Sequence, residues 1–250
     1  MSDFHGIIYA YGASPELGEL VKSRIAASMP FCGRYRLIDF ALSSMANAGI
    51  FNVGVIMQRD YQSLLDHIGS GKDWDMDRRI GGLRMLPPFG LPEYHTGNYT
   101  GTIEALNAVS TYIGDIKEKY IVMMHGNLAA NLDLNDVIEN HLKSGAEITA
   151  ICTDMTPEYR HHRYLMDADG FARGMVFSQT EAGQGKASLE AYIIFRGLRY
   201  LQRASCHHDG CMPRGKSPSF PPRRNCRVSG IGRQGERVYA QGLCPTHYER

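Results

Sequence analysis

Apolar and polar positions alternate along this chain in two rhythms. His5-Gly6-Ile7-Ile8-Tyr9-Ala10-Tyr11-Gly12 is a short, almost unbroken apolar run closed by glycine, the pattern of a strand covered on both faces of a parallel sheet. Over residues 36–48 the apolar Leu37, Ile38, Phe40, Ala41, Met45 and Ala48 recur at helical spacing, and Gly49 is placed to end that helix in a left-handed conformation. Residues 51–57 read as a second buried strand. The alternation continues with helices over 61–68 and 102–113, a strand over 120–124, a helix over 134–143 closed by Gly145, and a strand over 147–153. Strand and helix alternating in this way predict an α/β fold built on a doubly wound, mostly parallel sheet.

After Thr156-Pro157 the rhythm changes. Residues 164–166 and 171–177 flank the turn Asp167-Ala168-Asp169-Gly170 and predict a β-hairpin, and residues 188–195 supply one more strand. Beyond Arg196 the periodicity fails: Leu, Ile, Val and Phe make up 7 of the last 54 residues, while Arg contributes 9 and Pro 5. Such a composition buries little. The expected division is therefore a domain over 1–196 and a basic, Cys/Pro/Arg-rich tail over 197–250, either disordered or read from a shifted frame.

Charge sharpens that division. The net charge of +1 conceals 17 basic and 23 acidic residues up to Arg196, against 10 basic and 3 acidic after it. No stretch approaches the roughly 18 to 20 apolar residues that span a bilayer, and Met1-Ser2-Asp3-Phe4-His5 lacks a signal-peptide pattern, so a cytoplasmic protein without membrane partners is expected. Only Cys32 and Cys152 fall in the first 196 residues, which suits a reducing compartment. In the tail, Cys206, Cys211, Cys244 and His247 are too loosely spaced to assign zinc, and its arginines do not by themselves imply nucleic acid.

Three segments, taken in order, resemble the glucose-1-phosphate adenylyltransferase (ADP-glucose pyrophosphorylase) family. They are Phe31-Cys32-Gly33-Arg34-Tyr35-Arg36-Leu37-Ile38-Asp39-Phe40-Ala41-Leu42-Ser43, Val53-Gly54-Val55-Ile56-Met57-Gln58, and Tyr99-Thr100-Gly101-Thr102-Ile103-Glu104-Ala105. The resemblance covers about residues 4–195, the front part of a family chain. It implies the Rossmann-like nucleotide-diphospho-sugar transferase fold, Mg²⁺ as cofactor, and a reaction joining ATP and glucose 1-phosphate into ADP-glucose and pyrophosphate.

Where the family carries a glycine-rich G-G-x-G-T-R-L loop around the nucleotide phosphates, this chain has Tyr11-Gly12-Ala13-Ser14-Pro15-Glu16-Leu17. Only Gly12 of the three glycines is present, and Glu16 puts a carboxylate in the place of an arginine. A like-charge contact at 4 Å costs about 4 kcal/mol at an effective dielectric of about 20. That is several powers of ten in rate. Ala26 stands where the family has a lysine, and Asn127 where it has a Mg²⁺-binding aspartate; an amide is a poor substitute for a hard anionic ligand. These changes together resemble the regulatory, D-type subunit of bacterial glycogen synthesis, which modulates a catalytic partner in a hetero-oligomer.

The resemblance implies nucleotide-binding positions at Gly12, Gln58, Tyr99, Gly101 and Thr102, and effector-binding positions at Arg34 and Arg36, with catalytic and metal residues absent. Two other readings stay open: an active adenylyltransferase, or an incomplete product without function. For Thr102 the alternative is a helix N-cap, and for Arg34 and Arg36 surface ion pairs. His67 is expected on a solvated helix face, and His161, His162 and Arg163 in a solvated cluster before the hairpin. Nothing near residues 177–180 matches the family's sugar-phosphate element.

Overall fold

The computed structural model describes residues 3–11, 15–88, 99, 101–154, 161–166, 172–178, 185–197, 226–231 and 237–241. It separates into two compact units, one of residues 1–134 with 196–211 and one of residues 135–195 with 212–250.

The first unit holds a parallel sheet. Strand β1 (Phe4–Ala10) lies between β6 (Tyr120–His125) and β4 (Val53–Met57), and β5 (Leu83–Leu86) pairs with β4, so the order is β6-β1-β4-β5. Every residue of β1 and β4 is buried, as expected of strands covered on both faces. Helix α1 (Leu37–Asn47) buries Ile38, Ala41, Leu42 and Met45. It packs so closely on β1 that a Cβ on Gly6 would stand 2.5 Å from the Met45 sulfur.

The helix ends as its sequence dictates. Gly49 takes φ 72°, the Gly49 N–H donates to the Ala46 carbonyl, and the Ile50 N–H donates to the Met45 carbonyl. This is the paired closure of a Schellman motif. Ahead of α1, β2 (Pro30–Phe31) and β3 (Tyr35–Arg36) form a small antiparallel ribbon whose turn places Cys32 (φ 50°) and Gly33 (φ 78°) in the left-handed region. Helix α2 (Gln62–Ile68) precedes β5, and α3 (Thr102–Ala108) and α4 (Ser110–Asp115) precede β6.

The second unit is mixed. Strand β7 (Ile148–Thr153) follows α5 (Leu134–Ser144) and pairs antiparallel with β10 (Lys186–Phe195), which also meets the hairpin of β8 (His161–Met166) and β9 (Ala172–Ser178). Two strands lie in the expected tail: β11 (Cys226–Ile231) pairs parallel with β7, and β12 (Arg237–Gln241) antiparallel with β11. Their composition did not reveal them, because Arg227, Ser229 and Arg237 dilute the apolar alternation. Residues 167–170, the expected hairpin turn, lie outside the described residues, as do the four tail positions weighed for zinc.

Two expectations about histidines are corrected. His67 is not a solvated side chain: its Nε2 stands 2.6 Å from Asp39 Oδ1, and Asp39 is buried. Nor do His161, His162 and Arg163 form a solvated cluster before the hairpin. They are part of β8, and the buried Arg163 donates from Nη2 to the Gly185 carbonyl at 2.6 Å. Side-chain pairing across α1–α2 and across β8–β10 overrides what local polarity implied.

Candidate functional site

The chain leaves β1 for β4 on one side and later returns to β6 on the other, so strand order reverses between β1 and β6. In open α/β sheets a ligand sits outside the carboxyl ends of the strands at such a reversal. Here the two ends are pulled together by Gly126, whose N–H donates to the Tyr9 carbonyl at 2.7 Å. A Cβ on Gly126 would stand 3.0 Å from that carbonyl oxygen and 3.2 Å from Ala27 Cβ, so any side chain there would crowd the junction.

Around this junction lies a narrow cleft lined by Tyr9, Ala10, Tyr11, Ala26, Ala27, His125 and Asn127. Ala26 and Ala27 come from a 3₁₀ turn, Ala26–Ser28, fixed by the Ser28 hydroxyl donating to the Ile25 carbonyl at 2.8 Å. Rings fill the floor. Tyr11 packs edge-on against Tyr9 (centroids 5.5 Å) and Tyr99 (5.4 Å), and lies 6.0 Å from the His125 imidazole. The Tyr9 hydroxyl points to the Met123 sulfur at 3.4 Å. Tyr99 Oη is buried and has no hydrogen-bond partner among the described residues. Burial, reinforced by the Glu104 charge, pushes the Tyr99 phenol above its ordinary pKa, so it stays neutral.

No lysine, arginine, aspartate or glutamate lines the cleft among the described residues. Asn127 is exposed at its mouth. Phenols, one imidazole and one amide do not fit Mg²⁺, which takes carboxylates and phosphate oxygens, and among the described residues no cluster of three His, Cys, Asp or Glu is arranged to hold a metal.

The positions singled out from sequence are distributed as follows. Ala26 and Asn127 share the cleft, and Tyr99 reaches it through Tyr11. Glu16 lies in the 3₁₀ segment Pro15–Val21, its side chain outside the described part, and Gly12 lies outside the described residues. Gln58, half-buried, follows β4. Gly101, extended at φ −173°, is the N-cap of α3, while Thr102 is the first helical residue and exposed; it is not the cap.

The two arginines separate. Arg34 is exposed in the ribbon turn. Arg36 donates from Nη1 to the Ser63 carbonyl (2.6 Å) and hydroxyl (2.8 Å), tying α1 to α2, and its N–H donates to Asp39 Oδ2. Sequence reasoning missed the ring cluster: Tyr9 and Tyr11 at spacing two read as ordinary strand positions, and only the glycine displaced by Tyr11 signalled otherwise.

A family model described as nucleotidyl transferase matches residues 5–176, a span that runs from β1 into β9 and includes the cleft. The chain belongs to the nucleotidyl transferase family. Among its relatives are the glucose-1-phosphate adenylyltransferase of Pseudothermotoga lettingae, 35% identical over 192 residues (75% of this chain, 45% of the relative). Another is the glycogen biosynthesis protein GlgD of Geobacillus stearothermophilus, 33% identical over 180 residues (66% of this chain, 52% of the relative). The chain thus spans about half the length of these curated relatives.

A crystal structure from Bacillus anthracis, assigned as a glucose-1-phosphate thymidylyltransferase in complex with a sucrose, superimposes with a TM-score of 0.62 at 15% identity. It covers 84% of this nucleotidyl transferase chain and 76% of the other, a likeness of fold. Among the described residues, no helix is long and apolar enough to cross a membrane.

Proposed function

We propose that this nucleotidyl transferase chain is a regulatory subunit of ADP-glucose synthesis for glycogen, working in the cytoplasm beside a catalytic subunit and not turning over ATP itself. One observation carries the reading: the cleft at the strand reversal has no charged side chain among its described lining residues. Transfer of a nucleotidyl group develops charge on phosphate oxygens, and each preorganised donor or cation aimed at it is worth about 10²–10³ in rate. Ala26 offers a methyl group, and Asn127 a neutral amide, where such groups are needed. The names of the two relatives, an adenylyltransferase and a glycogen biosynthesis protein, favour ADP-glucose over other sugar nucleotides.

In this reading Gln58, Gly101 and Thr102 border what remains of a nucleotide site at which nothing is turned over, and no step runs through Mg²⁺. Arg34, exposed and outside the cleft, is the better placed of the two arginines to meet an anionic effector, since Arg36 is committed to Ser63. The test mixes the full chain with a catalytic ADP-glucose pyrophosphorylase subunit and follows pyrophosphate release. The chain alone with Mg²⁺, ATP and glucose 1-phosphate is expected to give no product, and the mixture a changed rate or substrate affinity. ADP-glucose formed by the chain alone overturns the proposal.

A further inference from the structure

The regulatory reading leaves a more specific question, which is what the strand-reversal crevice does with its space. A site for a small organic ligand encloses about 300–1,000 Å³. The cleft here has essentially no interior room, not even for a water-sized sphere. The difference has a visible cause: Tyr11, directly after β1, turns its ring inward at 8% exposure and wedges against Tyr9, Tyr99 and His125. Aromatic side chains bury about 150–250 Å² each, comparable to the face of a base with its sugar.

We infer that Tyr11 is a built-in plug, its ring occupying the ligand crevice between β1 and β6 and held there by Tyr99 and His125, so that the crevice is closed to a nucleoside until that ring leaves. The inference rests on the regulatory proposal only in treating the cleft as non-catalytic. Two further observations indicate what the opened crevice takes. Its walls are the rings of Tyr9 and Tyr99, the imidazole of His125 and the amide of Asn127, with no charge among the described lining residues. Tyr99 Oη, buried without a partner among the described residues, is a neutral donor and acceptor awaiting one. Flat, uncharged walls with a spare hydroxyl suit a base and its ribose, recognised by stacking and one hydrogen bond. Phosphates add little, because nothing described there neutralises them.

The experiment is calorimetric titration of the full chain with adenosine, and separately with ATP without metal. Wild type and Tyr11→Phe, which keeps the ring, are expected to show no binding. Tyr11→Ala is expected to bind adenosine tighter than wild type by about tenfold or more, the contribution of one base–aromatic stack, and to bind ATP with similar affinity. Tyr11→Val, a smaller truncation that keeps a strand-compatible side chain and leaves Tyr99 in place, is expected to gain adenosine binding too, and stands in should Tyr11→Ala not fold.

Wild type binding adenosine as tightly as Tyr11→Ala overturns the plug, as does a folded Tyr11→Ala that binds nothing or a Tyr11→Phe that binds as well as Tyr11→Ala. These outcomes are separate from those of the regulatory proposal. Wild type that binds adenosine but forms no ADP-glucose removes only the plug. A chain that leaves the catalytic partner unchanged removes only the regulatory role.

Discussion

Replacing Gly54 by alanine strikes the best-defined contact of the sheet at its end remote from the cleft. Gly54 lies inside β4, and a Cβ there would meet Tyr112 Cε1 at 2.6 Å, Oη at 2.8 Å and Cζ at 2.9 Å. Real Cβ atoms do not tolerate such distances, so the ring must move. It cannot move freely: Tyr112 Oη bonds His5 Nε2 at 2.7 Å, and the Arg84 guanidinium lies 6.0 Å above the ring. Overpacking of this kind costs about 1–3 kcal/mol. Separating the phenol from His5 adds about 1 kcal/mol and leaves a buried imidazole nitrogen short of a partner. The expected loss is therefore about 2–4 kcal/mol, read as a lower urea midpoint with an unchanged slope.

A double-mutant cycle isolates the cause. In a Tyr112→Ala background the added methyl group enters vacated space, so Gly54→Ala is expected to cost less there by at least about 1 kcal/mol. Additive costs in the cycle, or a Gly54→Ala protein within about 0.5 kcal/mol of wild type, refute the reasoning.

Two further outcomes follow from side-chain pairing. Burial holds the His5 imidazole below its ordinary 6.5, only partly opposed by Glu118. For Glu118 burial alone would raise the carboxyl, but the Asn52 donor at 2.6 Å and His5 outweigh it and hold the group below its ordinary 4.5. Both folded values lie below the unfolded ones, so the unfolded chain binds protons first. Stability should be complete above the ordinary histidine value, fall as pH drops through it, and fall again in the acid range; a thermal midpoint that rises with acid contradicts this. Asp39→Ala removes the acceptor of both the Arg36 N–H and His67, at a cost of about 1–2 kcal/mol. The single tryptophan, Trp74, whose ring centre lies 6.3 Å from His67, should report the change in its emission, and an unaltered spectrum with unaltered stability counts against the network.

Much of the first unit was legible because its physics is local. The runs in β1 and β4 are apolar throughout since both faces are covered, and Gly49 marked a helix end because only glycine takes φ 72° without strain. The helix expected over 102–113 is instead two, broken where Val109 leaves helical geometry (φ −109°, ψ 24°), with no glycine or proline to announce it. Strand β5 went unseen: four residues with Arg84 among them, entered through Gly81 and Gly82, both at positive φ, resemble a loop. At the site, Ala26 and Asn127 were singled out from sequence, and the structure brings both to one cleft. That Tyr11 turns inward was not legible, because it depends on Tyr99 and His125, far along the chain.

The two ends of the β6-β1-β4-β5 sheet spend polar groups in opposite ways. At the amino ends of the strands His5, Tyr112, Glu118, Asn52 and the Gly82 N–H form one connected network, in which Asn52 accepts from Gly82 at 3.0 Å while donating to Glu118. Buried charge there is compensated, and it joins the entrances of β1, β4, β5 and β6. At the carboxyl ends, where an α/β sheet does its chemistry, the described lining carries no charge and a tyrosine ring takes the ligand's place. A catalytic nucleotidyl transferase needs the reverse emphasis, because phosphate chemistry demands cations in the cleft and tolerates a plain apolar base to the sheet. The emphasis in this chain is what the regulatory proposal requires, since a subunit acting through a stable surface needs a rigid scaffold more than a charged cleft.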